Sequence, residues 1–324
     1  MALSRWPLCI CASATLMLYA FLSGQQAQAA EIKIGFATGD SADYAPAFAA
    51  EQRDMFKKAG LDVKLIAFRG GAAAQEALSA GAVDIITYFG PAVGLAVSKG
   101  THEKMVATIA AGNYGWNMIV PKDSSITTTH DLDGKTIGIS SKASTSDMAA
   151  LWVADNAKIN IKQIPLGAGA LIPALRSKQV DAIIFSALLT TREVLDGRAR
   201  SLIDVGTAMP KTMADVYVAS ESMMRDRPQE LKSVLKIIYD SLAYMKANRQ
   251  WSLEFLKDFA KSDNEAVTNA LYDSIIPQLS TDGSIDQKWV QDGLDLAARA
   301  WDQPELKNIK ADSLFTNEFA PIHK

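Results

Sequence analysis

The chain has 324 residues, of which 48% are hydrophobic and 21% are charged, and its formal net charge at pH 7 is −3. This length is enough for one large domain or two ordinary ones, and no basic block favours nucleic acid as a partner. The three histidines, His102, His130 and His323, lack metal-ligand spacing. We therefore expect no metal site and no cofactor.

The N-terminus has the pattern of an export signal. Arg5 precedes an apolar run, Trp6–Leu22, and a small-residue stretch ends at Ala29 and Ala30. The pattern predicts a periplasmic protein cleaved after Ala29 or Ala30. An uncleaved membrane anchor is the alternative, but the run is shorter than the roughly 20 residues that a spanning helix needs. Both cysteines lie in this run, so the mature chain would have no disulfide, thiolate metal site or cysteine nucleophile.

Alternating strands and helices follow in chain order. Ile32–Ala37 predicts a buried strand, Thr38–Asp43 a loop, and Tyr44–Ala59 a helix that ends at Gly60. The first segment continues with predicted strands at 62–68, 83–88 and 104–110 and predicted helices at 73–80 and 91–98. Strands that alternate with helices indicate a mostly parallel sheet.

The same pattern then occurs a second time. Lys33-Ile34-Gly35 corresponds to Thr136-Ile137-Gly138, and Val83-Asp84-Ile85-Ile86 corresponds to Val180-Asp181-Ala182-Ile183. Two α/β units predict two lobes with a ligand cleft between them. The expected division is 1–30 for the signal, 31–116 plus 219–324 for lobe 1, and 117–218 for lobe 2. The chain would cross between the lobes near 113–120 and again near 215–220.

The C-terminal part is predicted to be helical and to brace the first lobe. Pro228 suits the first turn of a helix whose apolar residues recur with helical spacing. Ser262 with Glu265, and Ser284 with Gln287, have the spacing of capping boxes that open two further helices.

The chain resembles the periplasmic substrate-binding proteins of ABC importers, in the NMT1-like group that serves nitrate, taurine, alkanesulfonates and thiamine-pyrimidine precursors. The resemblance is carried by Ile32–Ala37, Ala77–Ile86, Asp131–Gly138 and Val180–Ile183. It implies the type II periplasmic binding fold, in which each lobe is a parallel-rich sheet with helices on both faces and two crossovers form the hinge. It also implies closure on a small-molecule solute and docking on an ABC permease in the inner membrane. We expect a monomer.

The carboxyl ends of the strands are where ligands bind in open α/β sheets, because free backbone N–H groups and short polar side chains are found there. In the first copy and the first crossover this rule selects the following candidates: Thr38, Asp40, Ser41, Tyr44, Gly70, Phe89, Gly90, Asn113, Tyr114 and Trp116. Each also has a purely structural interpretation, as a helix cap, a turn glycine or a core aromatic residue.

The second copy offers a run of hydroxyl side chains at the start of a predicted helix, which is a favourable place for an anion. Its candidates are Ser140, Ser144, Thr145, Ser146, Phe185 and Ser186, together with Tyr217 at the return crossover. Asp215 lies at the same crossover, and either residue there could be structural.

The ligand class stays open at this point. The hydroxyl-rich helix start favours a small organic anion or a zwitterion such as a sulfonate, taurine or nitrate. Asp40 and Asp43 argue against a bare anion, because an unpaired carboxylate facing one is costly. An aromatic or heterocyclic amine, such as a thiamine-pyrimidine precursor, is the alternative. An enzyme on the same fold is less expected, since no catalytic residue is evident, and presentation of the ligand to a membrane receptor is a further alternative to transport.

Overall fold

The structure is a computed structural model that describes residues 30–39 and 41–320. The predicted export signal, Asp40 and His323 lie outside these residues. Every helix within the described residues is too short or too polar to span a bilayer.

The first sheet contains the elements of the first copy and one strand that returns to it. Its strands are β1 Ile32–Phe36, β2 Val63–Ala67, β3 Ile85–Tyr88, β4 Glu103–Ala110 and β10 Asp215–Ser220. Their spatial order is β2-β1-β3-β10-β4. β1 is parallel to β2 and β3, whereas β10 is antiparallel to β3 and β4.

The second sheet repeats this plan. Its strands are β5 Asn117–Pro121, β6 Thr136–Ile139, β7 Lys162–Pro165, β8 Ala182–Phe185 and β9 Ala199–Asp204. The order is β7-β6-β8-β5-β9, with β6 parallel to β7 and β8 and with β5 antiparallel to β8 and β9. In each sheet the antiparallel strand stands fourth and belongs to a segment that has just crossed from the other sheet. The predicted duplicated α/β fold is thereby confirmed.

Helices cover the faces of both sheets. They are α1 Ala45–Gln52, α2 Met55–Lys58, α3 Gly71–Ser79, α4 Gly90–Ser98, α5 Thr145–Ala157, α6 Ala168–Arg176, α7 Ala187–Leu195, α8 Val205–Ala208, α9 Glu221–Asp226, α10 Pro228–Ala247, α11 Arg249–Ala260, α12 Glu265–Ile275 and α13 Gln287–Ala300. One apolar cluster joins α1 and α10–α12 to β1 of the first sheet. A second cluster fills the other sheet and continues through α13.

The expected lobe boundaries stay a prediction. All of β10 lies in the first sheet, so the chain has returned to that sheet by Asp215. The expected boundary between 218 and 219 would therefore divide this strand.

The helix expected from Tyr44 to Ala59 is two shorter helices, because Asp54 takes a left-handed conformation (φ 54°) that ends α1. The two expected capping boxes are wrong. Asn264 caps α12 and Asp286 caps α13, since the capping oxygen comes from the residue that directly precedes the first turn.

The repeated aspartate has the same structural role in both copies. The Asp84 carboxylate accepts a hydrogen bond from the Lys33 backbone N–H at 2.8 Å, and Asp181 accepts one from the Thr136 N–H at 2.8 Å. The backbone N–H of each aspartate donates in return to the carbonyl of the same residue, Lys33 or Thr136. Each aspartate directly precedes one strand, and its hydrogen bonds thus link that point of the chain to the start of the parallel strand beside it.

We expect Asp84→Ala and Asp181→Ala each to lower the free energy of unfolding by about 1–3 kcal/mol, because each leaves a partly buried N–H without its charged acceptor. The asparagine variants keep an acceptor and should lose less. Urea denaturation measures both, with the exposed Asp155→Ala as a control. Alanine variants as stable as wild type would contradict the assigned role.

Candidate functional site

A small cavity lies where the carboxyl ends of the strands of the two sheets meet. Its volume is about 30 Å³. The residues that line it are Ala37, Thr38, Ser41, Tyr44, Gly71, Tyr88, Phe89, Trp116, Ser140, Ser144, Thr145, Phe185 and Asp215. They come from the carboxyl ends of β3 and β8, from the loops that follow β1, β3 and β6, from the starts of α3 and α5, and from the two connections between the sheets. The fold thus brings together many of the loop residues selected from the sequence.

Aromatic rings form much of the cavity wall. The Trp116 and Phe185 rings lie 5.2 Å apart between centroids, at 51° to each other, so the first crossover packs on the end of β8. Tyr44 packs on Phe36 of β1 with a centroid distance of 5.5 Å. Burial raises the pKa of the Tyr88 phenol, which also lines the cavity. Such walls suit a flat or apolar solute group.

Hydroxyl groups at the start of α5 form a closed network. The Ser146 hydroxyl accepts a hydrogen bond from the Ser140 backbone N–H at 2.9 Å and lies 2.9 Å from the hydroxyls of both Ser140 and Ser144. Ser144 caps the helix by accepting from the Asp147 N–H, and its own hydroxyl donates to the Ser141 carbonyl. These groups largely satisfy one another, while Ser140, Ser144 and Thr145 still reach the cavity.

The positive end of α5 already has a negative partner from the protein. Asp147, in the first helical turn, is 1% exposed and accepts hydrogen bonds from the Ala143 N–H and from the Lys142 ammonium. Lys142 also donates to Gln163. The helix start and the nearest lysine are therefore compensated locally, which leaves this end of the cavity less favourable for an anion.

Two buried carboxyls lie near the cavity, and one of them lines it. Asp215, 6% exposed, lines the cavity and accepts a hydrogen bond from the Tyr44 phenol at 3.1 Å. Asp43, 2% exposed, accepts one from the Ser41 hydroxyl at 2.5 Å. Burial raises the pKa of Asp43 to about 6. Burial and the negative charge of Asp43 raise the pKa of Asp215 well above its ordinary value.

The other candidates lie outside this lining. Ser146 and Ser186 are fully buried beneath the cavity, as part of the α5 network and as the residue preceding α7. Gly90 lies against the Met213 backbone, where any side chain would collide with the Met213 carbonyl. Tyr217 lines a separate cavity of about 10 Å³ together with Asp43.

Three further candidates lie elsewhere. Asn113 is buried beside Met209, and Tyr114 lines a groove on another side. Gly70 stands at the mouth of the cleft, where it approaches Ser141. Asp40 lies outside the described residues.

Ala37 lines the cavity but was not selected from the sequence, and Asp215, which also lines it, was noted only at the return crossover, where it could equally be structural. Asp215 had a detectable signal. It opens a strand that returns antiparallel beside β3, so its first residue lies at the carboxyl end of β3. The rule that selects the ends of parallel strands therefore also selects the start of an antiparallel neighbour.

The mouth of the cleft is closed by direct contact between equivalent loops of the two copies. The N–H of Ala168, the first residue of α6, donates to the carbonyl of Arg69, in the loop after β2, at 3.3 Å. Arg69 lines another cavity, which lies at this mouth, but it does not line the cavity of about 30 Å³.

Solved structures share this fold. The alkanesulfonate-binding protein SsuA from Xanthomonas axonopodis pv. citri, bound to MOPS, has a TM-score of 0.76 at 19% identity, over 89% of this chain and 99% of that chain. The periplasmic nitrate-binding protein NrtA from Synechocystis PCC 6803 has a TM-score of 0.72 at 14% identity, over 90% of this chain and 87% of that chain. The fold is that of the periplasmic binding proteins.

The sequence matches the model of the family described as NMT1/THI5 like over residues 41–251. The chain therefore belongs to the NMT1/THI5-like family, which confirms the resemblance drawn from the sequence. A protein of Brucella abortus (strain 2308), named "Putative binding protein", is 23% identical over 73% of this chain and 76% of its own length.

Replacing Asp43 by asparagine tests the electrostatics of the site. A carboxyl whose pKa rises from 3.8 to about 6 on folding destabilises the folded state as the pH rises above about 4, and the cost is complete above about pH 6. Asp43→Asn removes this cost and keeps an acceptor for Ser41. Its free energy of unfolding should exceed that of wild type by roughly 2–3 kcal/mol at about pH 8.

The advantage should shrink towards about pH 4, because Asp43 is then protonated in the folded protein. Urea denaturation at several pH values measures it, and Asp155→Asn at an exposed position is the control. An advantage that is absent at high pH, or that is the same at every pH, would contradict the described burial.

Proposed function

We propose that this protein is the periplasmic solute-binding component of an ABC importer and that its solute is a small aromatic or heterocyclic amine. Its family and its fold support solute capture. The names of the structural neighbours point to alkanesulfonate and nitrate for those proteins. The ligand class proposed for this chain comes from its own cavity. The observation that carries it is the buried carboxylate of Asp215 in an aromatic-lined cavity.

The charges around the cavity disfavour a simple anion. Among the described residues that line it there is no lysine, arginine or histidine. Lys142 is held by Asp147 and Gln163, and Arg69 lies at the outer mouth. An anion would therefore stand beside the Asp215 carboxylate without a basic partner, and that arrangement is costly in a buried site.

An amine, in contrast, can form favourable contacts with the Asp215 carboxylate and with the aromatic walls of the cavity. The N–H groups of the amine would donate charge-assisted hydrogen bonds to the Asp215 carboxylate. Such bonds are stronger than hydrogen bonds between neutral groups. A positively charged nitrogen near the Trp116 or Tyr44 ring would gain a further 0.5–2 kcal/mol, roughly, from the ring quadrupole. The ring of an aromatic solute would pack between the same walls.

The cavity volume implies a hinged entry. About 30 Å³ holds roughly two water molecules. A pyrimidine-sized solute would therefore enter only when the two sheets separate, with the contact between Arg69 and Ala168 broken at the mouth. The returning strand and the first crossover, which carry Asp215 and Trp116, are the hinge segments in this proposal.

A zwitterion is the second candidate, and one observation favours it. Ser144 and Thr145 at the start of α5 reach the same cavity as Asp215. A solute with an amine at one end and an acidic group at the other would use both ends. A permease partner and a monomeric state complete the proposal, with binding and release in place of catalysis.

A panel of three benzyl compounds that differ only in head group, together with 4-aminopyrimidine, nitrate and taurine, tests the ligand class. We expect benzylamine and 4-aminopyrimidine to raise the thermal transition, and benzyl alcohol, phenylmethanesulfonate and nitrate to leave it unchanged. At 100 times its dissociation constant a ligand adds about 2.7 kcal/mol to stability. Taurine tests the zwitterion. A shift with the sulfonate or nitrate and none with any amine would contradict the proposal.

Asp215→Asn should weaken the binding of an amine at least about tenfold, a loss of roughly 1.4 kcal/mol or more. It keeps an oxygen that can accept from Tyr44 but removes the charge. Isothermal titration calorimetry gives the affinity, with Asp155→Asn as the control of equal charge change. Equal affinities for wild type and Asp215→Asn would exclude the carboxylate as the recognition group.

A further inference from the structure

Asp43 and Asp215 are two buried carboxyls, called the pair below; the negative charge of Asp43 acts on Asp215, and neither has an ion-pair partner among the described residues. Asp43 lies in the turn after β1, and Asp215 is the first residue of β10. Among the described residues that line the two cavities beside them, none is basic. The groups that face the pair are the Ser41 hydroxyl and the Tyr44 phenol.

Further titratable groups near the pair are acidic as well. Burial and the negative charge of Asp215 raise the pKa of Tyr217, which therefore stays neutral. Tyr239, beyond it, donates to the Thr108 carbonyl, and burial raises its pKa as well. Asp282 adds a negative charge near Tyr239. The surroundings of the pair thus provide neutral donors and negative charge.

The two carboxyls face different spaces. Asp215 lines the solute cavity. Asp43 lines the separate cavity of about 10 Å³ described above, which has room for about one water molecule. A solute would therefore contact Asp215 directly, while Asp43 would influence Asp215 through its negative charge. Two like charges in such a site cannot both ionise without a large cost, so a proton is retained.

We propose that the Asp43–Asp215 pair holds one proton in the solute-free protein and that a cationic nitrogen of the solute replaces this proton at Asp215. The inference rests on the proposed function for its ligand class. The O–H bond of the protonated carboxyl breaks, the proton passes to solvent, and an N–H of the solute donates to the carboxylate in its place. The buried site has the same net charge before and after, which removes the penalty of ionising the second carboxyl.

This exchange makes binding selective as well as pH-dependent. A neutral isostere brings no charge to replace the proton, and an anion meets a carboxylate pair that still carries one negative charge. Asp215 is then the specificity-determining residue, and Asp43 is a positioning residue that sets the protonation of Asp215. Release of one proton per cation bound makes the affinity rise about tenfold per pH unit while the pair holds its proton.

The first experiment needs no ligand. Infrared difference spectra of the full mature chain between about pH 9 and about pH 7.5, where Asp43 is ionised, should show the C=O stretch of a protonated buried carboxyl group at the lower pH. The band should be lost in Asp215→Asn and should weaken in Asp43→Asn, because a lone Asp215 ionises more readily. A spectrum without such a band in wild type would overturn the inference.

The second experiment counts protons. Calorimetry of benzylamine binding at about pH 7, in two buffers of different ionisation enthalpy, should give close to one proton released for wild type. Asp43→Asn should still bind benzylamine but release measurably less of a proton than wild type, which a merely structural role of Asp43 would not produce. Binding without proton release in wild type would overturn the exchange and leave the proposed function intact. A carboxyl band with no binding of benzylamine or 4-aminopyrimidine would overturn the exchange together with the proposed ligand class.

Discussion

The charge of one buried carboxylate constrains what this protein can hold. Asp215 lines a cavity whose other described walls are mainly aromatic rings and hydroxyls, and the charge that raises its pKa, besides burial, is that of another carboxylate, Asp43. In a buried site such a charge needs a partner or a proton. The Tyr44 phenol provides a hydrogen bond but no charge. In our proposal a proton meets this need in the solute-free protein and a cationic solute replaces it, which links the fold to the proposed ligand.

The duplicated architecture explains how that carboxylate reaches the cavity. In both sheets the fourth strand runs antiparallel to its neighbours, because the chain has just crossed from the other sheet. The start of β10 therefore lies among the carboxyl ends of the parallel strands. The same geometry brings Trp116, just before β5, against Phe185 at the end of β8. Each crossover thus provides one wall of the cavity as well as one connection between the sheets.

The fold was predictable because its signals are local and repeated. Strand patterns, glycine-terminated helices and the paired aspartates Asp84 and Asp181 all indicate two α/β units from the sequence alone. The break at Asp54 was not predictable, since it depends on one left-handed backbone conformation inside a helical pattern. The caps Asn264 and Asp286 were missed because the capping-box spacing was matched two residues too early in both helices.

The candidate site was predictable as a set of loops but not as a set of charges. Position along the strands selects Thr38, Tyr44, Trp116 and Ser144, which do line the cavity. It does not show that the hydroxyls of α5 satisfy one another. Nor does it show that Asp147 neutralises the helix start, because these are tertiary contacts between short polar side chains. The preference of this helix start for an anion therefore depends on contacts that the sequence pattern does not show.

The most direct measurement is a crystal structure of the mature protein with benzylamine. The account predicts the solute nitrogen within about 3 Å of an Asp215 carboxylate oxygen, with the ring packed against Trp116. A solute whose nitrogen points away from Asp215, or an anion bound at the start of α5 in preference to the amine, would contradict it.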